Sequence, residues 1–135
     1  MAIQMSTLLR NARLDAIEST IGASAVLKIR SGAPPASVAT ADSGTVLATI
    51  ALPADWMAAA ASAQKAMSGT WSDAAADAAG TAGHFRIYAS DGTTAHFQGT
   101  VTATGGGGDM TVDNTVFAAG QQFNITGFTL SEPHA

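Results

Sequence analysis

Residues 83–101 read Gly83-His84-Phe85-Arg86-Ile87-Tyr88-Ala89-Ser90-Asp91-Gly92-Thr93-Thr94-Ala95-His96-Phe97-Gln98-Gly99-Thr100-Val101. Two alternating runs flank Asp91-Gly92, a pair that tolerates positive φ and signals a hairpin. A three-residue turn at Asp91-Gly92-Thr93 places Ser90 opposite Thr94. Tyr88 then faces His96, Ile87 faces Phe97 and Arg86 faces Gln98. In this register Phe85, Ile87, Ala89, Phe97 and Val101 share one side. His84, Arg86, Tyr88, His96, Gln98 and Thr100 share the other. Such a division predicts a sheet with one face on a core and one face towards solvent or a partner.

Working towards the N-terminus, residues 45–52 alternate, with Val46, Ala48, Ile50 and Leu52 on one side and Pro53 as the stop. Residues 25–31 alternate as well, with Ala25, Leu27 and Ile29 inward and Lys28 and Arg30 outward. Between them, Ser31-Gly32-Ala33-Pro34-Pro35 reads as a loop, since tandem prolines remove ladder donors. The best helix covers residues 6–21, with Ser6 as N-cap and Gly22 as stop. Leu14, Ile17 and Ile21 make one apolar stripe; Leu9, Ala12 and Ala16 make a second. The wide arc implies two contacts, both within the chain's own body or one on another subunit. The helix is expected to serve docking and to be dispensable for folding.

Towards the C-terminus the second hairpin strand runs on to Gly105–Gly108. Short strands follow at 109–112, 116–117 and 122–130. In the last, Phe123, Ile125 and Gly127 alternate with Asn124, Thr126 and Phe128. Phe85, Ile87, Phe97, Val101, Phe123 and Ile125 are expected to line a shared core. Residues 54–67 are alanine-rich without an amphipathic pattern. They read as an irregular loop, followed by a strand over 66–72 with Trp71 inward. One helix followed by about eight short strands bounded by Gly, Pro or Asp suggests a mainly β fold. The expectation is a jelly-roll-like β-sandwich over residues 23–131 in one domain spanning 1–135, with a single short N-terminal helix.

Composition narrows the function classes. The chain has 135 residues, a net charge of −4 and no cysteine, which excludes disulfides and thiolate metal sites. Residues 1–30 hold four basic and two acidic side chains, whereas 31–135 hold two basic against eight acidic. A nucleic-acid binder would need a basic stripe that this distribution lacks. No apolar run suits a membrane span, and the N-terminus does not resemble a secretory signal. Charged residues make up only 12%, and Ala, Gly, Thr and Ser fill the gap. A surface of that kind packs readily against other protein.

No motif carries chemistry. Ser62-Ala-Gln-Lys65 has serine–lysine acylation spacing but none of the partner motifs. His84 and His96 sit on the outward face with their backbones roughly 13 Å apart, too far for one zinc. Gly105–Gly108 lacks the lysine of a phosphate loop. Asp109, Asp113 and Asn114 lack the acid count and glycine of a calcium loop. The expectation is no enzyme, no cofactor, no metal and no small-molecule substrate. Leu8, Leu9, Arg10 and Arg13 on the helix, with Trp56 and Met57 after Pro53, are the candidate partner contacts.

The order of segments resembles a known family. The helix Leu8-Leu9-Arg10-Asn11-Ala12-Arg13-Leu14-Asp15-Ala16-Ile17 is followed by Leu27-Lys28-Ile29-Arg30-Ser31-Gly32 and a proline loop. Next come Val46-Leu47-Ala48, Leu52-Pro53, the stretch 80–88, Asp91-Gly92-Thr93 and Gln98-Gly99-Thr100-Val101. The pattern is similar to the jelly-roll capsid decoration, or cement, proteins of tailed bacteriophages. That resemblance implies a virion structural protein on the outer surface of the capsid, bridging major capsid protein subunits, often as a homodimer. Two other expectations stand beside it: a neck, tail or baseplate component, and a carbohydrate-binding module on the virion surface. The last would need aromatics exposed on a sheet face, for which Tyr88 is the candidate.

Overall fold

A computed structural model describes residues 2–135. It is mainly β, with one helix, α1 (Thr7–Ile21), ahead of nine strands among the described residues. The strands are β1 (Val26–Ser31), β2 (Val46–Ala51), β3 (Gln64–Ala66), β4 (Ser72–Asp73), β5 (Gly80–Tyr88), β6 (Ala95–Ala103), β7 (Met110–Val112), β8 (Val116–Phe117) and β9 (Phe123–Ser131). They form one curled sheet in the order β2-β1-β5-β6-β7-β9-β3, with β4 also on β9 and β8 on the start of β5. All pairs are antiparallel except β6–β7. The curl brings the two ends of the sheet together. Asp77 N donates to Leu47 O (2.8 Å), and Thr49 N donates to Asp73 Oδ2 (3.4 Å). The edge of β2 is thereby covered, which removes an open template for foreign strands. The result is sandwich-like, in line with the mainly β, jelly-roll-like expectation.

The curled sheet encloses one apolar core, with Leu27, Ile29, Leu47, Trp56, Trp71, Phe85, Ile87, Met110, Val112 and Phe123 at its centre. Phe128 is its aromatic hub. Its ring centroid lies 5.7 Å from Trp71, 5.5 Å from Phe85 and 6.4 Å from Phe97. Strict alternation puts Phe128 on the other side of its strand from Ile125. A register shift explains the difference: Thr111 pairs Gly127 while Val112 pairs Ile125, so Thr126 is an extra residue. A bulge inverts the alternation beyond it, and Phe128 turns inward.

The central hairpin keeps half of its expected register. Arg86 pairs Gln98 and Ile87 pairs Phe97, but Tyr88 pairs Ala95, leaving His96 as the extra residue. The turn is also longer than expected. Ala89 N bonds Thr94 O (2.9 Å), so Ser90 does not face Thr94. Asp91 organises this loop: its Oδ1 accepts from Thr93 N and Thr94 N, both at 2.9 Å, and Gly92 takes φ 70°. The hydroxyl and amides that converge on Asp91 hold its carboxyl well below the usual carboxylate range.

The larger correction concerns the face expected to meet solvent. His84, Arg86 and Tyr88 are buried, as is Arg30 beside them on β1. Residues 32–45 fold over this face as a strap and cover it. None of the strap's own apolar side chains is buried. Its closure uses Gly44, whose φ is +71° and where a Cβ would overlap Ser31 O.

Candidate interaction surface

Helix α1 begins as its sequence predicts. Ser6 Oγ accepts from Leu9 N (3.2 Å), and Gly22, at φ 89°, ends the helix with its N–H on Glu18 O. Leu14 and Ile21 are buried and Ile17 packs against the core, so the first apolar stripe faces inward. The helix is held further by polar contacts with residues 56–66, a stretch whose sequence carries no visible pattern. Trp56 Nε1 donates to Gly22 O (3.3 Å), Met57 N to Glu18 Oε1 (3.1 Å), Ala60 N to Asp15 Oδ1 (2.9 Å) and Ala63 N to Asn11 Oδ1 (2.8 Å). One face of α1 thus supplies the acceptors for a loop that has few of its own.

Lys65 closes this contact. Its side chain is 2% exposed, and Nζ lies 2.7 Å from Asp15 Oδ1, 3.1 Å from Glu18 Oε2 and 2.9 Å from Ala58 O. Burial by itself would lower the lysine pKa; the two carboxylates outweigh it and raise the pKa above the usual value. Asp15 is lowered in turn, by its hydrogen bond from Lys65 and then by that from Ala60 N. Serine and lysine of the acylation-like spacing therefore have other fates. Lys65 is a buried counter-ion, and Ser62 is exposed at φ 53°. At the other end of α1, Arg10 Nη1 donates to Glu132 O (3.2 Å) and Arg13 pairs with Glu132 (3.1 Å).

The opposite side of α1 has no partner within the chain. Leu8 and Leu9 are 81% and 49% exposed, and Ala12, Ala16, Ser19 and Thr20 are exposed along the same side. At 100° per residue these six positions fall on one stripe, and none of them is charged. Ile3, 78% exposed, lies just ahead of the helix. A groove of about 260 Å³ borders the stripe, lined by Arg13, Ala16, Ile17, Thr20 and Ile21 of α1 with His96 and Phe97 of β6. Arg10 and Arg13 are occupied by Glu132 and flank the stripe. The expected contacts at Leu8 and Leu9 are thus open to a partner.

Trp56 and Met57 are not. They are 0% and 1% exposed, and Trp56 lies 6.0 Å from Trp71 in the core. Pro53 and the lack of periodicity suggested an exposed loop, but the loop turns inward to hand its aromatic to the core and its amides to α1. Tyr88 is likewise removed as a sugar-stacking platform. It is 0% exposed, with its hydroxyl donating to Asp42 Oδ1 (2.8 Å) and Lys28 Nζ 4.9 Å above its ring. Both tryptophans are buried as well, so the carbohydrate reading has no exposed Trp or Tyr to rest on.

Apart from His96, the histidine and acids weighed for metal binding serve local structure. His84 is buried with Nδ1 2.8 Å from Gly32 O, and burial followed by the nearby arginines lowers its pKa despite that bond. His96 is exposed on the bulge. Asp109 Oδ2 accepts from Thr100 N (2.9 Å), Asp113 binds Asn124, and Asn114 accepts from Val116 N (3.0 Å). Among the described residues no group of three acids or histidines is placed to hold a metal ion, and no helix is long and apolar enough to cross a membrane.

Sequence reasoning missed the cluster beneath the strap. Arg86 Nη1 donates to Asp42 Oδ1 (2.6 Å) and Arg30 Nη2 to Asp42 Oδ2 (2.7 Å). A signal was present: Asp42 is the sole charged residue between Arg30 and Asp55, opposite two arginines in outward positions. No protein-family model, no curated protein and no solved structure matches this chain.

Proposed function

We propose that this chain is a non-enzymatic virion structural protein, placed on the outer surface of a capsid as a decoration protein that bridges major capsid protein subunits. The observation that carries the reading is the uncharged outer stripe of α1, held on a helix that is itself fixed to the body by Lys65, Asn11, Asp15 and Glu18. A rigid, uncharged, partly apolar strip docks with little polar desolvation and little ordering cost. The strip is also small. A helix of 15 residues is about 22 Å long, and one of its sides offers far less than the roughly 800 Å² per partner of a stable pairwise interface. Weak patches suit a protein that binds a lattice in more than one place, because a second contact then forms at high effective concentration. A homodimer would present the strip twice.

Cementing follows by mass action. A ligand that binds the assembled lattice better than free subunits stabilises the assembled state. The test adds purified protein to heads that lack it and follows thermal rupture. A higher rupture temperature, with no binding to free capsid subunits, is the expected result. An unchanged rupture temperature at full occupancy would remove the cement role. Occupancy confined to the neck, tail or baseplate would replace it with the other structural position.

A further inference from the structure

Strap 32–45 is held by an unusual kind of contact. The sheet donates nearly everything and the strap accepts. Arg86 Nη2 donates to Ser37 O (3.0 Å), Val38 O (3.2 Å) and Thr40 O (2.9 Å). Gln98 Nε2 donates to Pro35 O (2.7 Å), and Arg30 Nη1 reaches Ser43 O and Gly44 O at 3.4 Å each. Asp42 is the single charged group of the strap and receives Arg30, Arg86 and Tyr88 together. Two atoms under the strap stay unsatisfied, Arg30 Nε and His84 Nε2. The closed strap therefore gains little apolar burial of its own, with Pro34, Pro35 and Val38 only half-buried, and leaves two buried polar groups unpaired, which weakens it. Segments with few buried apolar contacts open locally at less cost than the whole fold.

We propose that residues 32–45 form an acid-released strap that opens while the curled sheet stays folded, uncovering Arg30, Arg86 and His84 together with the Tyr88 hydroxyl.

The charged and titratable groups around Asp42 are mostly cationic, and only the Asp42 charge and the Gly32 O bond to His84 Nδ1 oppose release. From β1 come Arg30 and, above Tyr88, Lys28; from β5 come His84, Arg86 and Tyr88; β6 offers neutral Gln98. Burial by itself would raise Asp42, but Tyr88, Arg86 and Arg30 together bring it below the ordinary carboxylate value. A lowered pKa means that Asp42 stabilises the closed form above about pH 4 and that this is lost as pH falls through the folded value. His84 has the same sign. It is held neutral under the strap, so from about pH 6.5 downward the open form takes up a proton that the closed form resists. A protonated His84 would be another cation beside Arg30 and Arg86, with only Asp42 to balance them. Acid thus acts in two steps, His84 first and Asp42 second.

The test is residue-resolved hydrogen exchange, read as protection factors so that the intrinsic pH dependence cancels. Thr40 N bonds Ser37 O and Thr45 N bonds Ser31 Oγ, so both amides report strap closure. Leu27 and Ile29, in a strand flanked on both sides, report the sheet. At pH 7, Thr40 and Thr45 are expected to be protected at least about 100-fold less than Leu27 and Ile29. Their protection should fall by about tenfold or more between pH 7 and pH 3. Asp42→Asn should erase strap protection while Leu27 and Ile29 remain protected. His84→Gln should remove the part of that fall that lies above about pH 4. Equal protection of strap and sheet would overturn the proposal, as would a strap indifferent to pH or to Asp42→Asn. If Asp42→Asn yields no folded protein, the pH series on the unaltered chain makes the same decision.

Discussion

Replacing Lys65 by Met tests whether α1 belongs to the body of the fold. Methionine keeps the aliphatic length of the side chain and removes the charge. The change leaves Glu18, at 18% side-chain exposure, without its cation, and frees Ala58 O. Breaking a buried pair from one side costs about 3–5 kcal/mol when the remaining charge is fully buried. Here the cost is smaller, because Asp15 is 48% exposed and Ala60 N and Met57 N still donate to Asp15 and Glu18. An expected loss is about 2–3 kcal/mol. For 135 residues, with about 2.1 cal/mol/K of unfolding entropy per residue, that is a fall in Tm of about 7–11 °C. The assay is thermal unfolding at pH 7, repeated with Glu18→Gln and with the double substitution. The double variant should lose less than the sum of the two single variants, since each single change already breaks the pair. A Tm within about 2 °C of the unaltered protein would show that the clamp adds nothing, and the case for a fixed helix would fall with it.

Other outcomes follow from the same structure. A chain starting near Gly22 loses Leu14, Ile21 and both counter-ions of Lys65, so it should fail to give a cooperative unfolding transition, contrary to what the amphipathic pattern alone suggests. Phe128→Ala should cost about 3–5 kcal/mol in denaturant unfolding because its ring joins Trp71, Phe85 and Phe97, while Phe97→Ala, only partly buried, should cost about 1–2 kcal/mol. Leu8→Lys with Leu9→Lys should leave stability within about 0.5 kcal/mol, as expected of exposed positions, yet abolish binding to depleted heads; retained binding would place the docking surface elsewhere. Asp91 should titrate well below the usual carboxylate range in a carboxyl NMR series, and Asp91→Ala should lower Tm by loosening the hairpin turn.

Local patterns in the sequence were sufficient for the element types. Alternation located β1, β2 and β6 to within a residue or so and β5 to within about three, and capping chemistry located α1, because both signals are written into neighbouring residues. The inward identities of Phe85, Ile87 and Phe123 followed for the same reason; Trp71 is inward as well, but from the segment between β3 and β4, since no strand runs over 66–72. What only the tertiary structure decided lies where one segment meets another far along the chain. Bulges at His96 and Thr126 shift the alternation, and a shift of one residue turns Phe128 inward. The face of β5 that alternation marks as polar is buried, because the strap brings Asp42 to Arg86 across 44 positions of sequence. Polarity tells that a side chain needs partners; it does not tell whether water or a carboxylate supplies them. Residues 54–67 have no local signal at all, since their order comes from carboxylates on α1 and from Trp56 entering the core. The outer stripe of α1 was legible as an apolar arc, but which of its two sides stays free was settled by packing alone.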